Sequence, residues 1–258
     1  MTLEKSSKIQ KLLTSWPNGA VLTSAVLKPQ GYSDFLLYHY KKSGWLIGLG
    51  RGAFAKAGDS VDWRGGLYAL QEQLKLSVHL GGKSALAYQG SAHFLKLGTD
   101  SVTLFATPGT RLPSWFTRFK WEATVSLITT NLFPNDLGLT SESVGDFSVK
   151  ISSRERATFE MLYMAPKNQS LSEVRLLMSS LTNLRPKLLQ QLLESCSSVK
   201  VKRLFMLFAE ELKLPWVKKL DSDQVDFGTG DRTIVKGGKL HSKYRLTLPV
   251  DLFEEPSR

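Results

Sequence analysis

Proline and glycine punctuation sets the limits on the first sixty residues of this chain. Pro17, Asn18 and Gly19, then Pro29 and Gly31, then Gly44, then Gly50 and Gly52 divide it into pieces that each hold one short helix or strand. Ile9, Leu12, Leu13 and Trp16 follow the spacing i, i+3, i+4, i+7, which predicts a helix with one apolar face, capped by Ser6 or Ser7. Thr23 is placed to cap a second, very short helix with Val26 and Leu27 turned inward. Ser33 is placed to cap a third over 34–43, with Phe35, Leu36, Leu37 and Tyr40 as its apolar positions and Gly44 as its stop. Strands over 45–49 and 53–56 joined by Gly50, Arg51 and Gly52 suit a tight hairpin. Helix, short helix, turn, helix and hairpin is the order of a winged helix-turn-helix. There the third helix enters a DNA major groove, and the hairpin tip reaches a neighbouring phosphate or the minor groove.

Farther on, Leu67, Tyr68, Leu70 and Leu74 predict a helix over 63–76, followed by a strand at 77–80 and a short helix at 84–89. The texture changes near residue 95. Segments 102–106, 124–129 and 147–151, rich in Val, Ile, Thr and Phe, read as strands. Ser153 is placed to cap a helix carrying Ala157, Phe159, Leu162 and Tyr163, and amphipathic helices follow at 171–181, 186–193 and 199–212. The stretch 233–249 reads as extended. The expected fold is α+β, with a winged helix-turn-helix and helical extension in residues 1–94 and a larger mixed α/β domain in residues 95–258.

Thirty-four Lys and Arg against 23 Asp and Glu give a formal charge of +11. Up to Leu95 eleven basic residues face five acidic ones, so the excess is densest in the first third. Such a balance favours polyanions: nucleic acid, anionic lipid or an acidic protein. The longest uncharged run, 12–27, is broken by Pro17, Asn18 and Gly19 and cannot supply a membrane span. The first residues lack a secretory pattern, so a cytoplasmic location is expected. The single cysteine, Cys196, excludes an internal disulfide and argues against a thiolate zinc site. His39, His79, His93 and His241 lack metal spacing. Neither a metal nor a cofactor is expected.

Motifs for catalysis are sparse. Gly82, Lys83 and Ser84 resemble the end of a phosphate-binding loop, but Ser77 stands where its first glycine belongs, so a turn before a short helix is the better reading. Glu210 and Glu211 occupy adjacent helical positions that point about 100° apart and do not converge. Asp221, Asp223 and Asp226 lack the glycine and terminal glutamate of a calcium loop. The DNA-facing set is sharper. With Leu36, Leu37 and Tyr40 inward, Ser33, Asp34, Tyr38, Lys41 and Lys42 face outward. Arg51 sits at the hairpin tip and Lys56 ends its second strand. Asp34 suits either a cytosine amino group or the helix dipole. Lys200, Lys202 and Arg203 form a candidate second basic surface on the helix at 199–212, with a solvated helix face as the alternative.

Several runs carry a resemblance. Leu13, Trp16, Pro17 and Gly19 precede Gly31-Tyr32-Ser33. Tyr40-Lys41-Lys42-Ser43-Gly44-Trp45-Leu46 and Gly50-Arg51-Gly52-Ala53-Phe54 come next. They are followed by Trp63-Arg64-Gly65-Gly66-Leu67-Tyr68-Ala69-Leu70-Gln71, His79-Leu80-Gly81-Gly82-Lys83-Ser84-Ala85-Leu86 and Gln89-Gly90-Ser91-Ala92-His93-Phe94. This series resembles the AbiEi family of antitoxins from bacterial type IV toxin–antitoxin systems of abortive infection and phage defence. The match is close in the N-terminal third and weaker beyond it. The resemblance implies a winged helix-turn-helix that binds inverted repeats in its own promoter and represses transcription, in a bacterial, nucleoid-associated protein. It also implies a C-terminal domain that opposes an AbiEii-type nucleotidyltransferase toxin without a stable complex. No enzyme is expected. Two alternatives are a C-terminal enzyme that reverses the toxin's modification, and a module that binds the toxin or its nucleic-acid target.

Overall fold

A computed structural model of the chain describes residues 2–90, 101–134 and 136–253. It divides into two compact units, one from Met1–Leu80, Thr99–Thr130 and Ser141–Ile151, the other from Gly81–Gly98, Asn131–Thr140 and Ser152–Arg258. The expected boundary at 94/95 lies outside the described residues.

The first unit opens with α1 (Thr2–Ser15), which begins ahead of the proposed caps Ser6 and Ser7 and contains them. Ile9, Leu12 and Trp16 are buried, as their spacing requires, and the Trp16 indole donates to the Ala20 carbonyl at 2.9 Å. A short strand, β1 (Leu22–Thr23), leads into α2 (Ser24–Leu27); Thr23 stands at its N-cap without a side-chain hydrogen bond. Then come α3 (Asp34–Lys42) and the hairpin β2 (Leu46–Gly50) and β3 (Ala53–Lys56). The sheet order β1-β3-β2, all antiparallel, is that of a winged helix-turn-helix.

Backbone approach then limits what can follow. In α4 (Trp63–Tyr68) a Cβ on Gly65 would lie 2.0 Å from the Gly19 carbonyl oxygen, so only glycine lets the helix meet the turn that ends α1. A π-helical turn, Ala69–Gln73, interrupts the expected helix over 63–76. It aims two glutamines at strand edges. Gln73 accepts from the Thr23 amide at 2.8 Å and donates to the Val21 carbonyl, completing the free edge of β1. Gln71, buried, donates to the carbonyls of Val78 and Lys150 and accepts from the Lys150 amide at 2.8 Å. It thereby joins β4 (Val78–Leu80) to a distant strand. Beyond β4, α5 (Gly82–Tyr88) belongs to the second unit.

The first unit resumes with β5 (Ser101–Ala106), α6 (Ser114–Arg118), β6 (Thr124–Thr129) and the greater part of β7 (Leu139–Val144) and β8 (Phe147–Ser152), of which Leu139, Thr140 and Ser152 belong to the second unit. These strands and β4 form a mixed sheet in the order β6-β5-β4-β8-β7, with Leu80 opposite both Leu104 and Ile151. Asp146, in the β7–β8 turn, accepts from the Asn18 side chain at 2.6 Å and so ties this sheet to the winged segment.

The second unit is mainly helical: α5, α7 (Arg154–Met164), α8 (Leu171–Ser179), α9 (Pro186–Ser195) and α10 (Val199–Glu211). Segment 233–249, expected to be extended, contributes two of three short strands, β9 (Arg232–Thr233), β10 (Lys239–His241) and β11 (Leu246–Leu248), in the order β10-β11-β9. A stacked column of Phe159, Phe205 and Trp216, with Phe133 edge-on to Phe159, forms the aromatic centre. Ser153 caps α7 through the Arg156 amide, as expected.

Two buried carboxylates on α7 anchor this unit. Glu155 receives the Arg185 amide at 2.9 Å and its guanidinium at 3.0 and 2.9 Å. Burial pushes the Glu155 carboxyl up, but the Arg185 hydrogen bonds overcome that and hold it at about 2, against an ordinary 4.5. The depressed value stabilises the fold fully above the unfolded value, and that stabilisation is lost as pH falls from about 4.5 toward 2. With Arg185 two-thirds exposed, the loss is expected to be roughly 2 kcal/mol. Urea titrations between pH 7 and pH 3 should show it, and the Glu155→Gln variant should lose less over the same interval.

Candidate nucleic-acid interface

The outward face of α3 is built from its start. The Ser33 hydroxyl accepts from the Leu36 amide at 3.2 Å, and Gly44, at φ +74°, ends the helix, both as the sequence predicts. Leu37 and Tyr40 are buried and Leu36 is partly so. Phe35, an apolar position of the helix outside the inward set Leu36, Leu37 and Tyr40, is 68 % exposed. Leu37 and Tyr40 lie three residues apart and share a face, whereas Phe35 lies about 200° around the helix from Leu37. Its ring stands edge-on to His39 at 4.4 Å, and Tyr38 meets the same imidazole at 6.0 Å. Phe35, Tyr38, His39 and Lys42 therefore form one outward stripe at i, i+3, i+4, i+7, all exposed.

Of the other expected contacts, Ser33, Asp34, Lys41, Lys42 and Arg51 are exposed. Asp34 pairs with Lys28 at 2.7 Å, which offsets its charge at the helix start. The Lys41 stem runs close beside Gly48, where a Cβ would meet it at 3.3 Å. The hairpin is braced. A Cβ on Gly50 would lie 2.8 Å from that of Trp115 in α6, so the wing rests against this helix while Arg51 at its tip stays in solvent.

Lys56 is corrected. Its ammonium donates to the Trp16 carbonyl at 3.0 Å, bonds the Asn18 side chain and lies 3.7 Å from Asp59, with its side chain 13 % exposed. It fastens the base of the wing to the end of α1 and is not free for DNA.

The second basic surface is also corrected. Lys202 and Arg203 are buried, and Lys200 is half-buried. Lys200 donates to the carbonyls of Tyr163 and Ala165, and Lys202 to that of Asp226. Arg203 donates to the carbonyls of Phe227, Gly228 and Gly230 at 2.8 to 3.0 Å. Burial lowers the basicity of Lys200 and Arg203. These cations hold neighbouring chain in place and present no charged face.

The remaining candidates resolve as structure. The Gly82 amide, where a phosphate would sit in a nucleotide loop, donates to the buried Glu160 carboxylate at 2.9 Å, and Lys83 pairs with Glu173. Glu210 pairs with Lys243 and Glu211 with Arg175, so the two carboxylates diverge. Asp221 and Asp226 accept the amides of Asp223 and Gly228 as turn caps. Burial pushes the Cys196 thiol up to about 11, which leaves it protonated at neutral pH. Among the described residues no cluster of three or more His, Cys, Asp or Glu is arranged to hold a metal ion, and no helix is long and apolar enough to cross a membrane.

A winged helix-turn-helix with an exposed third helix and a braced, arginine-tipped wing, joined to further α+β structure, defines the class of protein. Two family models match in succession. Residues 5–97 match "Transcriptional regulator, AbiEi antitoxin N-terminal domain", and residues 99–249 match "Transcriptional regulator, AbiEi antitoxin, Type IV TA system". The chain belongs to the AbiEi family, transcriptional regulators and antitoxins of type IV toxin–antitoxin systems. A solved structure, the RV2827C protein from Mycobacterium tuberculosis, is similar in fold, with a TM-score of 0.61 at 15 % identity over 93 % of this chain and 89 % of that one. No curated protein is significantly similar in sequence.

Proposed function

We infer that residues 1–94 bind inverted repeats in the promoter of the chain's own operon and repress its transcription. Residues 95–258 counteract an AbiEii-type nucleotidyltransferase toxin without forming a stable complex with it, inside a bacterial cytoplasm. The observation that carries the DNA reading is the exposed α3, with Ser33 and Asp34 at its start and Lys41 and Lys42 at its end, beside a wing that keeps Arg51 in solvent. Phosphate attraction from such cations positions a helix, and groups at the helix start then meet base edges. The buried state of Lys202 and Arg203 removes the basic cluster that a toxin-binding or RNA-binding C-terminal surface would have used.

The test is a gel shift of the purified chain on duplex DNA from upstream of its own reading frame, across a salt series. Binding should weaken steeply, with a log–log slope of about −0.9 per phosphate neutralised. Binding that ignores both salt and sequence contradicts the reading. For the C-terminal half, the chain should restore growth to cells expressing the toxin, while the two purified proteins elute separately on a sizing column.

A further inference from the structure

We propose that Phe35 reads the C5-methyl group of thymine in the major groove, which makes α3 selective for A·T pairs where its aromatic stripe meets the duplex. The inference rests on the DNA reading above and adds the base-edge chemistry. Phe35 is the second residue of α3, in the first turn, where recognition helices approach bases most closely. The residue is 68 % exposed and its ring carries no hydrogen-bonding group. Thymine's methyl is the apolar group that a base pair displays in the major groove, so it is the base feature such a ring can recognise.

The surroundings favour DNA over an apolar protein partner. The stripe that begins at Phe35 ends in Lys42, Lys41 is exposed beside it, and the wing tip carries Arg51. Asp34, the one acidic group on the helix, is paired with Lys28. A contact face rimmed by cations complements phosphate. His39, edge-on to Phe35 at 4.4 Å, limits how far the ring can swing and so presents it toward the groove.

The experiment amplifies the upstream fragment with either thymidine or deoxyuridine triphosphate. The two duplexes pair identically and differ by the C5-methyl groups. The wild-type chain should bind the uracil duplex at least about fourfold more weakly, the ratio that ~0.8 kcal/mol per buried carbon gives for one methyl. Phe35→Ala should bind both duplexes alike, with the salt slope and thermal midpoint of the wild type. Phe35→Leu should keep part of the preference. Equal binding of both duplexes by the wild type, or an unchanged preference in Phe35→Ala, overturns the inference while leaving DNA binding intact. So does a Phe35→Ala variant that keeps its DNA affinity but loses self-association. Failure to bind either duplex overturns the DNA reading itself, and this inference with it.

Discussion

Glu160→Ala is expected to destabilise the protein by about 3–5 kcal/mol, the usual cost of removing one partner of a buried ion pair. The Glu160 side chain is 1 % exposed and lies on α7 opposite three donors. The Arg156 guanidinium reaches it at 2.8 Å, the Ser152 hydroxyl at 2.7 Å and the Gly82 amide at 2.9 Å. Arg156 also donates to the Leu137 carbonyl at 2.7 Å and lies over the Phe133 ring. Alanine would leave a buried guanidinium without this carboxylate and two neutral donors without their acceptor. The Glu160→Gln variant should fall between, because the amide oxygen still accepts but carries no charge. A double variant, Arg156→Met with Glu160→Leu, should recover much of the loss, since replacing both partners by apolar groups avoids the unpaired charge. Urea titration followed by circular dichroism measures all three. A loss near 0.5 kcal/mol for the alanine variant, the size expected of an exposed pair, would contradict the account.

The triple variant Lys41→Ala, Lys42→Ala, Arg51→Ala is expected to lose on the order of 100-fold in affinity for upstream DNA at about 0.15 M salt, with a log–log slope shallower by about 2.7. Each cation is exposed, so removing it should leave the fold intact. Lys56→Ala provides the contrast. Its ammonium is engaged at the base of the wing, so this variant should lower the unfolding midpoint and leave the slope as it is. A triple variant with an unchanged slope would place the phosphate contacts elsewhere.

Much of the winged module was legible because its signals are local. Ser33 as cap, Gly44 as stop and the Gly50-Arg51-Gly52 hairpin each act within a few residues of chain, and each stands where sequence places it. Phe35 stands apart from the inward set that helical spacing gives, Leu36, Leu37 and Tyr40, and its exposure agrees with that spacing. Four apolar residues within six positions cannot share one helical face, and the buried pair turned out to be Leu37 and Tyr40. The strands β1 and β7 and the helix α6 carry no strong period of their own. They exist because a partner completes them: β3 and Gln73 for β1, β8 for β7, and β2, through Gly50 against Trp115, for α6.

Lys202 and Arg203 teach the converse. Charged residues on an amphipathic helix ordinarily mark its wet side, but α10 is buried all round from Val201 to Ala209. The acceptors for its cations are backbone carbonyls of Asp226, Phe227, Gly228 and Gly230, from chain more than twenty residues away. Every residue carries such a carbonyl, so no pattern of side chains announces which ones will converge.

Residue order alone established the α+β class, the winged module and its outward lysines and arginine, because caps, turns and helical periods are written in near-neighbour chemistry. Which charges remain in water, which carboxylates are sealed beneath them, and that a phenylalanine leads the exposed stripe of α3 followed from packing. Burial is a property of what other segments cover, and those segments are distant in the chain.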